Sequence, residues 1–250
     1  MAALEVCHIF LFGGKMKFAV CDSRIPEAAK KNLYNHCDRI ILLPPFSVLA
    51  EPVSAHPDML LFPAEDERII FTHRGYLDIC RKAFAETNYE IVPIEETVSE
   101  KYPYDILLNS AKIGQHILGK KAHISSSILD YASKNHLDVT DIKQGYAKCS
   151  ICKVSENAII SADPSVLKAA EKLNINALKI SEGGVHLRGY DRGFIGGASG
   201  NDGENVFFCG DIMKHRDGEK ITKFCISHEK NAVSLSKEEL YDIGTVYFIT

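Results

Sequence analysis

Short apolar runs bounded by turn residues recur along the chain. Four begin near Asp58, Asp105, Lys148 and Arg192: Asp58-Met59-Leu60-Leu61-Phe62, Asp105-Ile106-Leu107-Leu108-Asn109, Lys148-Cys149-Ser150-Ile151-Cys152 and Gly193-Phe194-Ile195-Gly196-Gly197. Each has the length of a buried strand. A second apolar strand follows each of them: Arg68 to Phe71, Gln115 to Leu118, Ala158 to Ile160 and Asn205 to Phe208. Helical spacing comes next. It is clearest after Asp163-Pro164, where Val166, Leu167, Ala170 and Leu173 follow an N-cap aspartate and a proline at the first helical position. Asp22-Ser23-Arg24-Ile25-Pro26 opens a similar helix, and Asp211 closes its strand at the corresponding place. Capping explains all three aspartates. A last strand ends each unit: Arg39 to Leu43, Glu90 to Pro93, Leu137 to Asp141, Ala177 to Ile180 and Ala232 to Leu235.

The pattern predicts a strand-strand-helix-strand unit repeating about every 45 residues. Five helices and five closing strands are present, but only four inner strands lie between Asp58 and Gly197. The fifth must come from one end, either Leu4 to Phe10 or Gly244 to Thr250. No linker, charge run or low-complexity stretch divides the chain. A unit of this size cannot bury its own apolar face, so residues 16–250 are expected to form one domain.

Composition narrows the function. The 250 residues are 46% hydrophobic and 25% charged, ordinary globular values, and the net charge of −4 argues against general nucleic-acid binding. No apolar run reaches the roughly 18 residues of a membrane span. Leu4 to Phe12 has no basic flank before it and no small-residue cleavage site after it, so it does not read as a signal peptide. A cytoplasmic chain with reduced thiols is therefore expected, despite eight cysteines. Gly13-Gly14-Lys15-Met16 is what a purine-rich ribosome-binding site and a start codon would encode. On that reading the natural chain begins at Met16, and residues 1–15 are an extension or edge strand.

Five such units in about 250 residues resemble the pentein superfamily, the fivefold α/β propeller of the guanidinium-modifying enzymes. Arginine deiminase, agmatine deiminase, dimethylarginine hydrolase and amidinotransferase share that plan, as does a non-catalytic branch, the ribosome anti-association factor. Local similarity to the enzymes lies in His56-Pro57-Asp58 and a glycine-rich stretch, and the chain as a whole looks more like a bacterial branch of the superfamily. The resemblance implies five units around a central channel. It also implies a small polar ligand, a guanidino compound being the candidate, with amidinohydrolase or deiminase-like turnover or, alternatively, a non-catalytic binding or interaction role. It implies no cofactor, metal, nucleic acid or membrane partner, and leaves the oligomeric state open.

Inner strands of such a ring bring their side chains toward the axis. Aligning the units puts Asp58, Asp105, Lys148 and Arg192 in one column, two carboxylates facing two cations. This reads either as a structural ion-pair ring or as a ligand site, since carboxylates suit a guanidinium fork and cations suit a substrate carboxylate. His56-Pro57-Asp58 is similar to the His-x-Asp motif of the deiminases, which would make His56 a proton shuttle with a pKa near the operating pH and Asp58 the guanidinium anchor. The glycine-rich Ser181-Glu182-Gly183-Gly184-Val185-His186-Leu187 has no cysteine, with Leu187 about where one is expected. The thiol candidates are then Cys149 and Cys152, followed by Cys209 and Cys225. Lys148 beside Cys149 would favour a thiolate. As a zinc half-site, the Cys149–Cys152 pair lacks a second ligand pair, and as a redox motif it sits in a predicted strand rather than opening a helix. Gly196 and Gly197 leave an inner strand without side chains, which either lets strands converge or clears space for a ligand.

Overall fold

The computed structural model describes residues 16–250. The segment Leu4–Phe10, one candidate for the fifth inner strand, lies outside the described residues. The first unit places β1 (Phe18–Asp22), α1 (Glu27–Leu33) and β2 (Arg39–Leu43) in order. The second adds a helical turn, α2 (Pro57–Leu60), before β3 (Leu61–Ala64), β4 (Ile69–Thr72), α3 (Leu77–Ala83) and β5 (Glu90–Pro93). The third comprises β6 (Ala111–Ile113), β7 (His116–Gly119), α4 (Ser126–Lys134) and β8 (Asp138–Asp141). The fourth again starts with a turn, α5 (Ala147–Ser150), then β9 (Cys152–Ser155), β10 (Ala158–Ser161), α6 (Pro164–Lys172) and β11 (Asn176–Lys179). After β12 (Val185–His186) the fifth unit runs β13 (Ser199–Asn201), β14 (Asn205–Phe208), α7 (Gly218–Ser227) and β15 (Asn231–Ser234). β16 (Leu240–Tyr241) and β17 (Val246–Ile249) follow.

In every unit an inner strand pairs antiparallel with the outer strand, and the outer strand pairs parallel with the closing strand across the helix. Such a crossover needs a helix-length connection, which the amphipathic α1, α3, α4, α6 and α7 supply. β17 takes the fifth inner place, with Phe18 opposite Ile249 and Val20 opposite Tyr247. It also pairs parallel with β13, which fuses the fifth and first units into one six-stranded sheet, β15-β14-β13-β17-β1-β2. The inner strands of all five units line one cavity of about 860 Å³, the central channel of a fivefold α/β propeller.

The outer and closing strands fall within a residue of their expected positions. The inner strands do not. β3, β6, β9 and β13 begin between three and seven residues after the predicted starts, and the segments predicted as strands instead coil into single turns. Pro57 sits at the first helical position of α2, and Met59 and Leu60 are fully buried within that turn. A four-residue apolar run is buried equally well as a turn or a strand, so its hydrophobicity cannot choose between them. Asp163 caps α6 by accepting from the Ser165 and Val166 amides, and Asp211 caps a short 3-10 turn through the Met213 amide. Asp22 caps nothing: the residue before α1 is Pro26. Among the described residues, no helix is long and apolar enough to cross a membrane.

Candidate functional site

The turns that precede the inner strands converge at one end of the channel. α2 brings His56 and Asp58 there, the end of β1 brings Asp22, and α5 brings Lys148 and Cys149. β12 pairs with β16 through Val185–Leu240 and His186–Tyr241, which draws the loop holding Asp242, Gly244 and Thr245 over them. The Asp58 amide donates to the Gly244 carbonyl at 3.0 Å. His56, Asp58, Asp22 and Asp242 are each at most 2% exposed.

His56 lies between two carboxylates, with Nε2 3.9 Å from Asp22 Oδ2 and Nδ1 3.8 Å from Asp242 Oδ1. Both separations exceed hydrogen-bond length, and Nδ1 has no partner. Burial and then the Arg24 guanidinium push His56 down to about 3, far from the near-neutral value expected of a proton shuttle, so the ring is neutral. Neither carboxylate oxygen of Asp58 has a hydrogen-bond partner. Burial lifts Asp58 to about 6 against the opposing pulls of Lys148 and of the Cys149 thiol, which lies beside the carboxylate without meeting hydrogen-bond geometry. Asp242 accepts from the Phe194 and Gly244 amides at 2.8 and 3.0 Å, yet burial and the nearby Asp58 still lift it to about 7. These are carboxylates short of positive charge.

One guanidinium is already present. Arg24 places Nε 3.0 Å from Asp22 Oδ1 and Nη2 2.7 Å from Oδ2, a two-pronged fork, and donates to the Glu51 and Pro52 carbonyls at 2.7 and 3.0 Å. Asp22 therefore holds a guanidinium beside His56 and is not a helix cap.

Asn109 ties the floor together. Its Nδ2 donates to the Asp58 carbonyl and to Cys149 Sγ, both at 3.0 Å, and its Oδ1 accepts from the Lys148 amide at 2.9 Å. The neighbouring Lys148 does not make Cys149 a thiolate: burial, then Asp58 and Asp242, push the thiol well above its ordinary value. Lys148 Nζ turns toward the channel and donates to Thr245 Oγ1 at 2.8 Å. Cys152 lies on β9 in a different apolar cluster from Cys149, and burial lifts it to about 11.

The predicted column is broken. Arg192 lies on the surface, its guanidinium 2.6 Å from Glu182, because the loop before β13 runs outward at that point. Asp105 accepts from the Tyr146 hydroxyl at 2.7 Å, and Tyr146 stacks on Phe194. Gly196 and Gly197 clear no ligand space. A Cβ on Gly196 would sit 2.5 Å from the Lys148 carbonyl oxygen, and one on Gly197 2.5 Å from Asp242 Cγ, so backbone and carboxylate already fill the volume.

Asp22, Asn109, Asp242 and Thr245 were not singled out as site residues from the sequence. Thr245 has φ 75°, uncommon for any residue but glycine and an outlier for a β-branched one. Its hydroxyl donates to the Ser199 carbonyl and accepts from Lys148. The available signal was Asp242-Ile243-Gly244-Thr245, a turn sequence immediately before the last strand of the ring.

A DDAH from Pseudomonas aeruginosa, solved as a cysteine-to-serine variant with citrulline, superimposes with a TM-score of 0.59 at 12% identity, covering 88% of this chain and 92% of that one. A dimethylarginine dimethylaminohydrolase solved as an adduct with 4-chloro-2-hydroxymethylpyridine gives 0.53 at 14% identity, over 89% and 93%. At these identities the likeness shows the fold alone, and that fold is the pentein propeller. No curated protein matches the sequence. The sequence profile of a family of unknown function matches residues 20–247.

Proposed function

The chain belongs to that family, DUF6873, and on this footing we propose that it binds a small polar compound whose cationic, guanidinium-type head is drawn to the buried cluster of Asp58, Asp242 and His56 beside the end of the channel. The observation that carries this reading is the state of Asp58: a fully buried carboxylate with no hydrogen-bond partner, lifted by burial, next to a second lifted carboxylate. Buried carboxylates are costly unless paired, and a planar cation with several N–H donors supplies the missing charge and hydrogen bonds together. The fork of Arg24 on Asp22 supports the choice of a guanidinium, since this neighbourhood already accommodates one.

Turnover of the amidinohydrolase or deiminase kind would fall to Cys149 and His56. Both are held neutral by burial, the thiol protonated and the imidazole unprotonated, which favours a binding role over covalent catalysis. The experiment is a thermal-shift titration with arginine, agmatine and citrulline. The two guanidinium compounds should raise the melting temperature, and citrulline, whose ureido head carries no charge, should not. Asp242→Asn should abolish the response. If all three compounds leave wild type unchanged, or if Asp242→Asn responds as wild type does, the reading fails.

A further inference from the structure

At its far end the cavity is lined by the hairpins of four units and by the start of β1 and the end of β17, which form a second mouth. Three lysines there are closed into ion pairs: Lys17 with Asp202, Lys112 with Asp66 and Lys153 with Glu156, each at 2.5 Å. Arg68 and Lys230 also line this mouth and have no ion pair among the described residues, with Lys230 donating to the Gly203 carbonyl. Lys148 differs from all of these in its place. It lines the deep end of the same cavity, and its Nζ has no carboxylate within 4.0 Å among the described residues. Its partners are one hydroxyl, Thr245 Oγ1, and the face of Tyr247, 5.5 Å from Nζ. An ammonium carries three donors, and the structure uses one. Burial lowers the Lys148 pKa, with Asp58 opposing that fall.

Asp58 acts on Lys148 only from beyond contact distance and lies outside the cavity wall, so it does not occupy the free donors of Nζ. Thr245, which orients Nζ, sits in the strained backbone conformation already described, and such strain persists where the surroundings enforce it. Ser110 lines the same stretch, and its hydroxyl has no partner. Glu65 is the lining acid without an ion pair, and it lies in the fields of Lys112 and Lys153.

We propose that the deep end of the channel is a binding site for a small anion, a phosphoryl or carboxylate group, anchored by Lys148 Nζ and entering from the hairpin mouth. The cavity, about 860 Å³, has room for a ligand of metabolite size behind the anionic group. An anion there supplies the counter-charge that Lys148 lacks, in a setting where a desolvated charge pair counts for more than at the surface. This site is distinct in sign and in route of entry from the guanidinium seat, and it stands whether or not that seat is occupied.

The test is isothermal titration of the full chain with inorganic phosphate and, separately, with succinate. Wild type should bind at least one of them saturably at a single site, and the preferred probe assigns the phosphoryl or carboxylate source. Lys148→Met should bind at least about tenfold more weakly, while Lys214→Met, which removes an exposed lysine, should match wild type. No binding by wild type to either probe overturns the proposal, as does equal binding by Lys148→Met. If Lys148→Met does not melt cooperatively, trace acetylation of wild type with acetic anhydride decides. The bound anion should protect Lys148 and leave Lys214 unprotected. A Lys148 that is not protected, or that the reagent never reaches, overturns the proposal.

Discussion

Replacing Asp242 by asparagine should change how stability depends on pH, and the size of the change can be worked out. Folding lifts Asp242 to about 7 and Asp58 to about 6, and lowers His56 to about 3 and His73 to about 4, burial being the largest cause in each case. An acid raised on folding binds a proton that the unfolded chain has released, so its effect on stability improves as pH falls toward its unfolded value. A histidine lowered on folding does the opposite, because below about pH 6.5 the unfolded chain takes up a proton that the folded one refuses. Between about pH 6 and pH 4.5 the two acids contribute close to two extra bound protons in the folded state, and the two histidines close to two fewer. The four contributions nearly cancel in wild type. Asp242→Asn deletes one acid and leaves both histidines. One proton of difference is worth about 1.4 kcal/mol per pH unit, so the variant should lose about 2 kcal/mol relative to wild type between about pH 6 and pH 4.5. Other titrating groups are common to both proteins and drop out of the difference. Urea unfolding followed by circular dichroism at several pH values in that range measures it. A wild-type-minus-variant difference that stays constant across the range would refute the assignment of Asp242 as a proton-holding buried acid.

Three further outcomes follow from the same geometry. Gly197→Ala would drive a methyl into the Asp242 carboxylate, 2.6 Å from Oδ2, and should cost about 3 kcal/mol or more, read as a shift of the urea midpoint; Gly203→Ala, with open space but φ +96°, should cost about 1 kcal/mol. With iodoacetamide near neutral pH, Cys149 should stay unlabelled until the protein unfolds, and half-buried Cys37 should react before it; fast labelling of Cys149 followed by peptide mapping would contradict its raised thiol. Arg192→Ala removes only an exposed ion pair with Glu182 and should change stability by less than about 0.5 kcal/mol and leave ligand binding intact, as melting and titration would report.

The ring plan was legible because outer strands, helices and closing strands each carry their own signal. β10 is a short, fully buried apolar run, α6 has a cap and a proline at its start, and the closing strands follow at fixed offsets. The site was legible only in part. Asp58, His56, Lys148 and Cys149 stand close together at one end of the channel, but the inner strands begin later than the apolar runs suggest, so a column built on those runs carried Arg192 to a place the fold does not give it. Gly196 and Gly197 were recognisable as positions without side chains, whereas what fills the space depends on Asp242, some 45 positions later in the chain. Asp22 looked like a cap because it follows a strand and precedes a helix. That its carboxylate takes Arg24 instead depends on where the Glu51 and Pro52 carbonyls lie, and no local pattern encodes that.

The first unit takes its inner strand from residues 246–249 and its outer strand from residues 18–22. The sheet that joins them therefore depends on contacts spanning nearly the whole sequence, which are the slowest kind to form. During synthesis, β1 waits with an unpaired edge until residues 246–249 leave the ribosome, and in that interval it is open to mispairing. The same β17 carries Tyr247 beside Lys148 and follows directly on Thr245, so the channel floor cannot be completed before that strand is in place. A chain shortened by its final strand would lose more than an edge: it would leave β1 and β13 without their shared partner and Lys148 without the group that aims it.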